Sequence, residues 1–407
     1  MAVVAIVWEL GAGLGHISRL FPIAHALKKH GHRPVFVLKD MANLALVSDN
    51  HTVECIQAPI WVGHYTNVCE PLNFSDTLLR IGYQNRNALS SMIIQWVNIF
   101  ERINPALILF DHSPTAMLAS RKFDCPKIQI GTDFSVLPCV TPLPRYKFWA
   151  RSSNQPDKQL LESEEHCLTN INYALAKIGV PRIDAVHRIY DTYHTFIDTH
   201  SLLDVYGKRQ GVEYLGVFRR ADIGVSPVWP FTNKPKVFLY LKSRYQHIEA
   251  LLQACHATDA QFLIYSAGIG KELVQRFTSP HMIFSDQPFK INAVIQSCDC
   301  AINHASGIAE LLLQQGKPQI LLPMPMEQLM RAKKIISLGA AQLFDMKDSP
   351  VKLGAYVHRM ITTGRCEENT QAVAEGLEPI NDIPDIEKIL NRIDAFLLSP
   401  LKRNVSF

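Results

Sequence analysis

Asn303 to Ala340, NHASGIAELLLQQGKPQILLPMPMEQLMRAKKIISLGA, decides how the rest of the chain is read. Ser306 and Gly307 open an amphipathic helix with Ile308, Leu311 and Leu312 at helical spacing, and Gly316 stands where helices commonly stop. Lys317-Pro318 leads into a short buried strand, Gln319 to Leu322, which Pro323 and Pro325 end before a second helix begins. Such a sequence of elements is an αβ unit of a parallel sheet. A loop entering a helix at the rim of that sheet presents free backbone N–H groups and the positive end of the helix dipole, a place where a phosphate is held.

Three acidic or amide side chains on this rim carry more than one reading. Glu310, in the first helical turn, is either a carboxylate offsetting the dipole or one that accepts both hydroxyls of a ribose. Glu327 and Gln328 follow the proline-rich loop, where a sugar can be held. Taken in order, His304, Glu310, Gly316-Lys317-Pro318, Pro323, Glu327-Gln328 and Arg331-Ala332 resemble the nucleotide-sugar signature of the UDP-glycosyltransferase superfamily, the family 1 and MurG-like enzymes. Ser285-Asp286-Gln287-Pro288 and Ser297-Cys298-Asp299 resemble the family's approach to that signature. Three departures stand out: Glu310 lies only six residues after His304, nearer than the family places it; Ala305-Ser306 replace paired glycines; and Arg331 replaces an Asn. A loop without those glycines approaches a pyrophosphate differently.

With 407 residues the chain is long enough for two domains, each with its own core. Charged residues make up 19% and the net charge is +4, with no Lys/Arg run interleaved with aromatics, which argues against a nucleic-acid surface. Nine cysteines, an odd number with no CxxC pair, suit a reducing compartment better than a disulfide framework. Cys298-Asp299-Cys300 is better read as core than as a metal site. Val3 to Val7 reads as a strand rather than a signal peptide, and no apolar run is long enough to span a bilayer. The expected location is the cytoplasm, with a peripheral contact at the inner face of the membrane allowed for by the segment Leu137 to Arg151, in which prolines, aromatics and bases alternate. That segment also reads as an acceptor lid or a plain surface loop.

The amino-terminal part begins as a βαβ unit. Ala2 to Trp8 is a continuously apolar strand, Gly11-Ala12-Gly13-Leu14-Gly15-His16 a glycine loop, Ile17 to Leu27 one face of a helix, and Pro34 to Leu38 the next strand. The glycines run G-x-G-x-G-H, not the G-x-G-x-x-G of a dinucleotide fold. His16 stands at the loop-to-helix junction, hence at the carboxyl edge of the sheet where open α/β folds bind ligands. The stretch Gly13 to Arg19 resembles the first loop of GT-B glycosyltransferases and of related nucleotide-sugar hydrolases; the resemblance implies that His16 is the general base, against a helix-capping role. Pro105 to Phe110 reads as a buried strand that delivers Asp111, the partner the resemblance implies for His16, although an Asp capping the next helix fits the same position. His112 is a spare candidate in the same corner. Thr77 to Ile103 and Arg182 to Tyr190 are expected to be helices, and 60–75 to belong to the acceptor region.

The expectation is therefore α/β: GT-B, two Rossmann-like domains facing each other across a cleft. An acceptor domain spans 1–218, a linker 219–235, a nucleotide-sugar donor domain 236–382, and a last helix 383–407 crosses back to the first domain. His16 and Asp111 are the catalytic candidates. Gly13, Gly15, Lys242, Ser243, Arg244, Gln287, His304, Ser306, Gly307, Glu310, Glu327 and Gln328 are the donor-binding ones, with Lys242-Ser243-Arg244 standing where relatives carry a glycine-containing phosphate loop. The implied activity is a bacterial-type, inverting, metal-independent hexosyl transfer from a nucleotide sugar, UDP or dTDP, to a small-molecule, lipid or glycan hydroxyl by a monomer or homodimer, with no cofactor; the sequence has no Asp-x-Asp pair. The alternatives are a nucleotide-sugar hydrolase on the same fold, a nonenzymatic nucleotide-sugar-binding protein and, third, a dinucleotide oxidoreductase.

Overall fold

The computed structural model describes residues 1–11, 14–41, 53–63, 70–150, 158–217, 224–344, 351–362, 365–377 and 385–398. The chain forms two compact units, one of Met1–His200, Tyr206–Phe218 and Ile380–Phe407, the other of Ser201–Val205 and Arg219–Pro379.

The first unit is built on a seven-stranded parallel sheet of β1 (Val3–Trp8), β2 (Arg33–Leu38), β3 (Glu54–Gln57), β4 (Leu107–Asp111), β5 (Lys127–Gly131), β6 (His194–Ile197) and β7 (Glu213–Tyr214), ordered β3-β2-β1-β4-β5-β6-β7. The run from Val4 to Trp8 is wholly buried, as a central parallel strand covered on both faces must be, and this explains its unbroken apolar sequence. Helices α1 (Leu14–Lys29), α2 (Phe74–Leu78), α3 (Arg86–Ile103), α4 (Pro114–Ser120) and α5 (Lys158–Lys177) connect the strands. The single helix expected over 77–103 is broken. Gly82 takes a φ of +108° in the turn Leu79–Tyr83, and Asn85 then caps α3 by accepting the N–H groups of Asn87 and Ala88. Of 182–190, only Val186–Tyr190 is helical, as a 3-10 turn.

The second unit has six parallel strands, β8 (Lys236–Tyr240), β9 (Gln261–Tyr265), β10 (Met282–Ser285), β11 (Cys300–Asn303), β12 (Gln319–Leu321) and β13 (Ala341–Leu343), ordered β10-β9-β8-β11-β12-β13. Its helices are α6 (Ile248–His256), α7 (Lys271–Phe277), α8 (Ile291–Ser297), α9 (Gly307–Gln314), α10 (Met326–Ser337), α11 (Val351–Thr362) and α12 (Arg365–Gly376). The apolar face of α9, Ala309 and Leu313, packs with Leu321 of β12 and with Ala332 and Ile335 of α10. The segment 219–235 is no free linker in its described part. Val225 forms a β-bridge with Phe289, Trp229 Nε1 donates to Ser297 Oγ at 2.9 Å, and the Phe231 N–H donates to Gln261 Oε1 at 3.1 Å, so it is tied into the second unit. Residues 64–69, 151 and 218–223, parts of the acceptor region and linker read from sequence, lie outside the described residues.

The final helix, α13 (Asp385–Leu398), belongs to the first unit. Its Ile389, Leu390 and Ile393 are buried in one cluster with Leu20, Ile23, Ala24 and Leu27 of α1. Polar contacts fix its orientation: Asp394 meets His32 Nε2 at 3.0 Å and His30 Nδ1 at 3.5 Å, while Arg392 Nη2 lies 3.5 Å from Glu213 Oε2. Each buried aliphatic side chain contributes roughly 1.5–3 kcal/mol, so apolar burial outweighs these half-exposed ion pairs. Ile393→Ala is expected to lower stability by about 2–5 kcal/mol, read as a lower urea midpoint, whereas Asp394→Asn lowers it by about 1 kcal/mol or less.

Candidate functional site

β1 and β4 are neighbours at the point where the strand order of the first sheet reverses, and the carboxyl ends of strands at such a point are where open α/β sheets bind ligands. His16 reaches it from the first turn of α1, and Asp111 is the last residue of β4. Nδ1 of His16 lies 3.0 Å from Asp111 Oδ2. Burial pushes the fully buried Asp111 carboxyl up, but the charges of His16 and Arg19 and the hydrogen bond from His16 outweigh it and hold it at about 2. Asp111 is thus an ionised, acceptor-only group. It fixes the imidazole tautomer: Nδ1–H donates to the carboxylate, and Nε2 keeps its lone pair.

Two neighbours hold the ring. Trp8 stacks on it with centroids 4.9 Å apart and planes 19° from parallel. Gly11, at a φ of +88°, lets Nε2 lie against its α-carbon, since a Cβ there would sit 2.4 Å from Nε2. Gly15 is not part of a loop but lies in the first turn of α1 beside His16, because the helix already begins at Leu14. Gly13 lies outside the described residues.

Three residues of this corner were not assigned a task from sequence. Arg19, one turn after His16 and nearly wholly buried, donates from Nη1 to Asp111 Oδ2 at 3.1 Å and from Nε to Asp198 Oδ2 at 2.7 Å. Asp198 directly follows β6, a carboxylate at a strand end as Asp111 is, and that position was the available signal. Glu9 follows β1 and accepts the N–H groups of Thr115 at 2.8 Å and Ala116 at 3.3 Å at the start of α4. Burial pushes its carboxyl up to about 7 against the opposing pull of the Thr115 hydroxyl and these N–H groups. His112, the spare candidate, takes a left-handed φ of +46°, and burial together with the charge of His16 pushes its imidazole down to about 3. It is therefore neutral, with its ring centroid 6.3 Å from that of His16.

The second sheet reverses its strand order between β8 and β11, and again a histidine stands at the carboxyl edge. His304 is fully buried. Its Nδ1 lies 2.7 Å from the Leu322 carbonyl and its Nε2 accepts the Lys242 N–H at 3.0 Å, so both ring nitrogens are consumed in tying together the loops after β8, β11 and β12. Burial pushes its imidazole below the usual range, in keeping with a neutral ring. Lys242, Ser243 and Arg244 are exposed after β8, and Ser243 packs where a Cβ on Gly268 would touch it.

Ala305 has a φ of +54°: the backbone keeps the glycine-type conformation although the residue is alanine. Asn303 holds it there, its Oδ1 accepting the Ala305 N–H at 2.8 Å while its Nδ2 donates to Gln319 Oε1 at 2.8 Å. Ser306 and Gly307 then open α9, Ser306 at the N-cap position without a side-chain cap bond. Glu310 is turned inward: it is 1% exposed, and its Oε2 lies 3.4 Å from Arg331 Nη1. Gln328 is likewise buried, its Oε1 accepting the Met324 N–H at 2.9 Å, whereas Glu327 is half-buried and Gln287 exposed. A cavity of about 440 Å³ opens at this edge, lined among others by Arg244, Tyr245, His247, Leu322, Met324 and Phe344. Among the described residues, no cluster of His, Cys, Asp and Glu is arranged to hold a metal ion, and no helix is long and apolar enough to cross a membrane.

Neither a protein-family model nor a curated protein matches the sequence. Solved structures do. The calicheamicin glycosyltransferase CalG4 superposes with a TM-score of 0.70 at 15% identity, covering 98% of this chain and 99% of its own. Glycosyltransferase VinC, solved in complex with DTDP, gives 0.66 at 14% identity, over 97% of this chain and 99% of its own. The Streptomyces sp. SF2575 glycosyltransferase SsfS6, complexed with thymidine diphosphate, gives 0.64 at 16% identity, over 97% and 100%. The similarity runs nearly end to end, and the chain has the GT-B fold of these enzymes.

Gly11→Ala forces a Cβ against His16 at an unfavourable φ; the expected result is a loss of about 1–2 kcal/mol of stability and disappearance of the downfield Nδ1–H resonance that the bond to Asp111 gives His16 in NMR spectra. Glu9 has a carboxyl raised from 4.5 to about 7 in the folded state, so its contribution to stability is full below the unfolded value and is lost as pH rises toward 7. On the order of 3 kcal/mol is lost over that window, and Glu9→Gln is expected to flatten the corresponding slope of unfolding free energy against pH.

Proposed function

We propose that the protein is a glycosyltransferase of the hexosyltransferase type, moving a sugar from a nucleoside diphosphate to the hydroxyl of a small-molecule, lipid or glycan acceptor. The observation that carries this reading is the 3.0 Å contact between His16 Nδ1 and an ionised, buried Asp111 at the carboxyl edge of the first sheet. A histidine so oriented has one basic nitrogen left, and a positioned imidazole is suited to remove a proton from an alcohol as it attacks. In the proposed reaction, Nε2 of His16 takes the acceptor proton while the acceptor oxygen bonds to the anomeric carbon and the nucleoside diphosphate departs. Asp111 stabilises the imidazolium that results. A single displacement inverts the anomeric configuration.

Charge on the departing diphosphate is assigned to the backbone N–H groups of Ser306 and Gly307 at the start of α9 and to Lys242, Ser243 and Arg244, without a metal. Gln287 and Glu327, which are not fully enclosed, are the remaining candidates for direct donor contact. His304, Glu310 and Gln328, whose polar atoms are engaged inside the unit, are assigned to holding the donor loops in place. Two similar structures are described with thymidine diphosphate or DTDP, which favours dTDP over UDP as the nucleotide.

Calorimetric titration with UDP, dTDP, GDP and NAD tests the donor: one nucleoside diphosphate is expected to bind, and Arg244→Ala to weaken it more than Glu310→Gln does. NAD binding alone would point to a dinucleotide enzyme instead. With the matching sugar donor and an acceptor panel, His16→Ala is expected to reduce transfer by about 10²–10⁴-fold. Sugar release at an undiminished rate without any acceptor would identify a hydrolase, and unchanged transfer by His16→Ala would remove His16 as the base.

A further inference from the structure

Asp111 has one oxygen that does two tasks. Oδ2 takes both the His16 Nδ1–H at 3.0 Å and the Arg19 Nη1–H at 3.1 Å, while Oδ1 is buried without a hydrogen-bond partner among the described residues. Arg19 is itself shared, its Nε donating to Asp198 Oδ2 at 2.7 Å, and all three of Arg19, Asp111 and Asp198 are buried. Four groups thus form a line in low dielectric: imidazole, carboxylate, guanidinium, carboxylate. Charges in such a line are coupled more strongly than at a surface.

We propose that Arg19 is a positioning residue which, divided between Asp111 and Asp198, sets how strongly Asp111 holds the protonated form of His16. The guanidinium competes with the imidazolium for the same oxygen, so it lowers the basicity that Asp111 alone would confer. Asp198 draws part of the guanidinium charge away and returns some of it. The fork geometry matters as well: Nη1 and Nε point to two different carboxylates, which a lysine cannot reproduce. The proposal rests on the reading of His16 as the base, and its test is chosen to be independent of turnover. Ionisable groups on the elements around His16 include His112 after β4, Glu9 after β1, His25, Lys28 and Lys29 further along α1, and, after β2, Asp40 and Lys39, whose Nζ donates to the Gly11 carbonyl at 3.0 Å. These remain constant through the series of variants described next.

The experiment is NMR titration of the His16 ring in the full chain, without substrates, for the native protein, Arg19→Met, Arg19→Lys and Asp198→Asn. Arg19→Met frees Asp111 for His16 alone and is expected to raise the His16 titration midpoint by about one pH unit or more. Asp198→Asn removes one of the two carboxylates to which the guanidinium donates and is expected to lower it. Opposite displacements are the signature of a shared clamp. Arg19→Lys, which keeps the charge and the volume, retains a midpoint nearer the native one and guards against loss of the fold in the methionine variant. Midpoints that stay fixed, or that move the same way in Arg19→Met and Asp198→Asn, overturn the proposal. Where transfer is measurable, the acid limb of the kcat–pH profile follows the same displacements. Displaced NMR midpoints with an unmoved acid limb keep the clamp and discard His16 as the base.

Discussion

A negative charge with no exposed surface has to be matched by its surroundings, and at the candidate site of the first unit that charge is Asp111. Its place is dictated by backbone: the last residue of a central parallel strand, at the point where strand order reverses, surrounded by buried side chains. An unmatched carboxylate there costs several kcal/mol. His16 and Arg19, on one turn of α1, supply the match together, and Asp198 in turn matches Arg19. The same contacts that make burial of the carboxylate tolerable also fix the tautomer of the histidine. Stability and the proposed chemistry thus rest on one set of hydrogen bonds.

The two sheets share one topology, and each sets a histidine at its reversal point, yet the two histidines are used differently. His16 gives one nitrogen to an ionised carboxylate and keeps the other basic. His304 donates to a carbonyl and accepts from an N–H, which leaves it neutral and without a free nitrogen. Partner type makes the difference: a carboxylate favours imidazolium, whereas a carbonyl paired with an N–H acceptor role favours the neutral ring. In the second unit, polar side chains at the edge are mostly framework, and it is the exposed cations and the opening of α9 that face outward.

The fold was legible where apolar periodicity and punctuation agreed. Pro34 to Leu38 and Gln319 to Leu322 are strands to within one residue of the bounds read from the sequence, since each is a buried apolar run with punctuation at its end. The break in 77–103 was not, because Gly82 and Asn85 interrupt a pattern that stays apolar on one face; a local cap overrode periodicity. At the candidate site, the pairing of His16 with Asp111 was expected from the family resemblance, with both residues placed at the carboxyl edge of the sheet. The Arg19 and Asp198 contacts were not, since residues so distant in sequence meet only through the register of β1, β4, β5 and β6. The inward-turned Glu310 meets Arg331, a residue whose position drew notice in the sequence but whose reach across to α9 only packing reveals.

α13 closes the apolar face of α1, yet the whole second unit is encoded between these two helices. During synthesis, the ribosome therefore completes the second unit while Leu20, Ile23 and Leu27 still lack their final cover. Domains usually fold in the order in which they emerge. Here the order is inverted for the last step: the unit that begins first is sealed last, and its nascent form carries a sticky hydrophobic stripe until α13 has emerged.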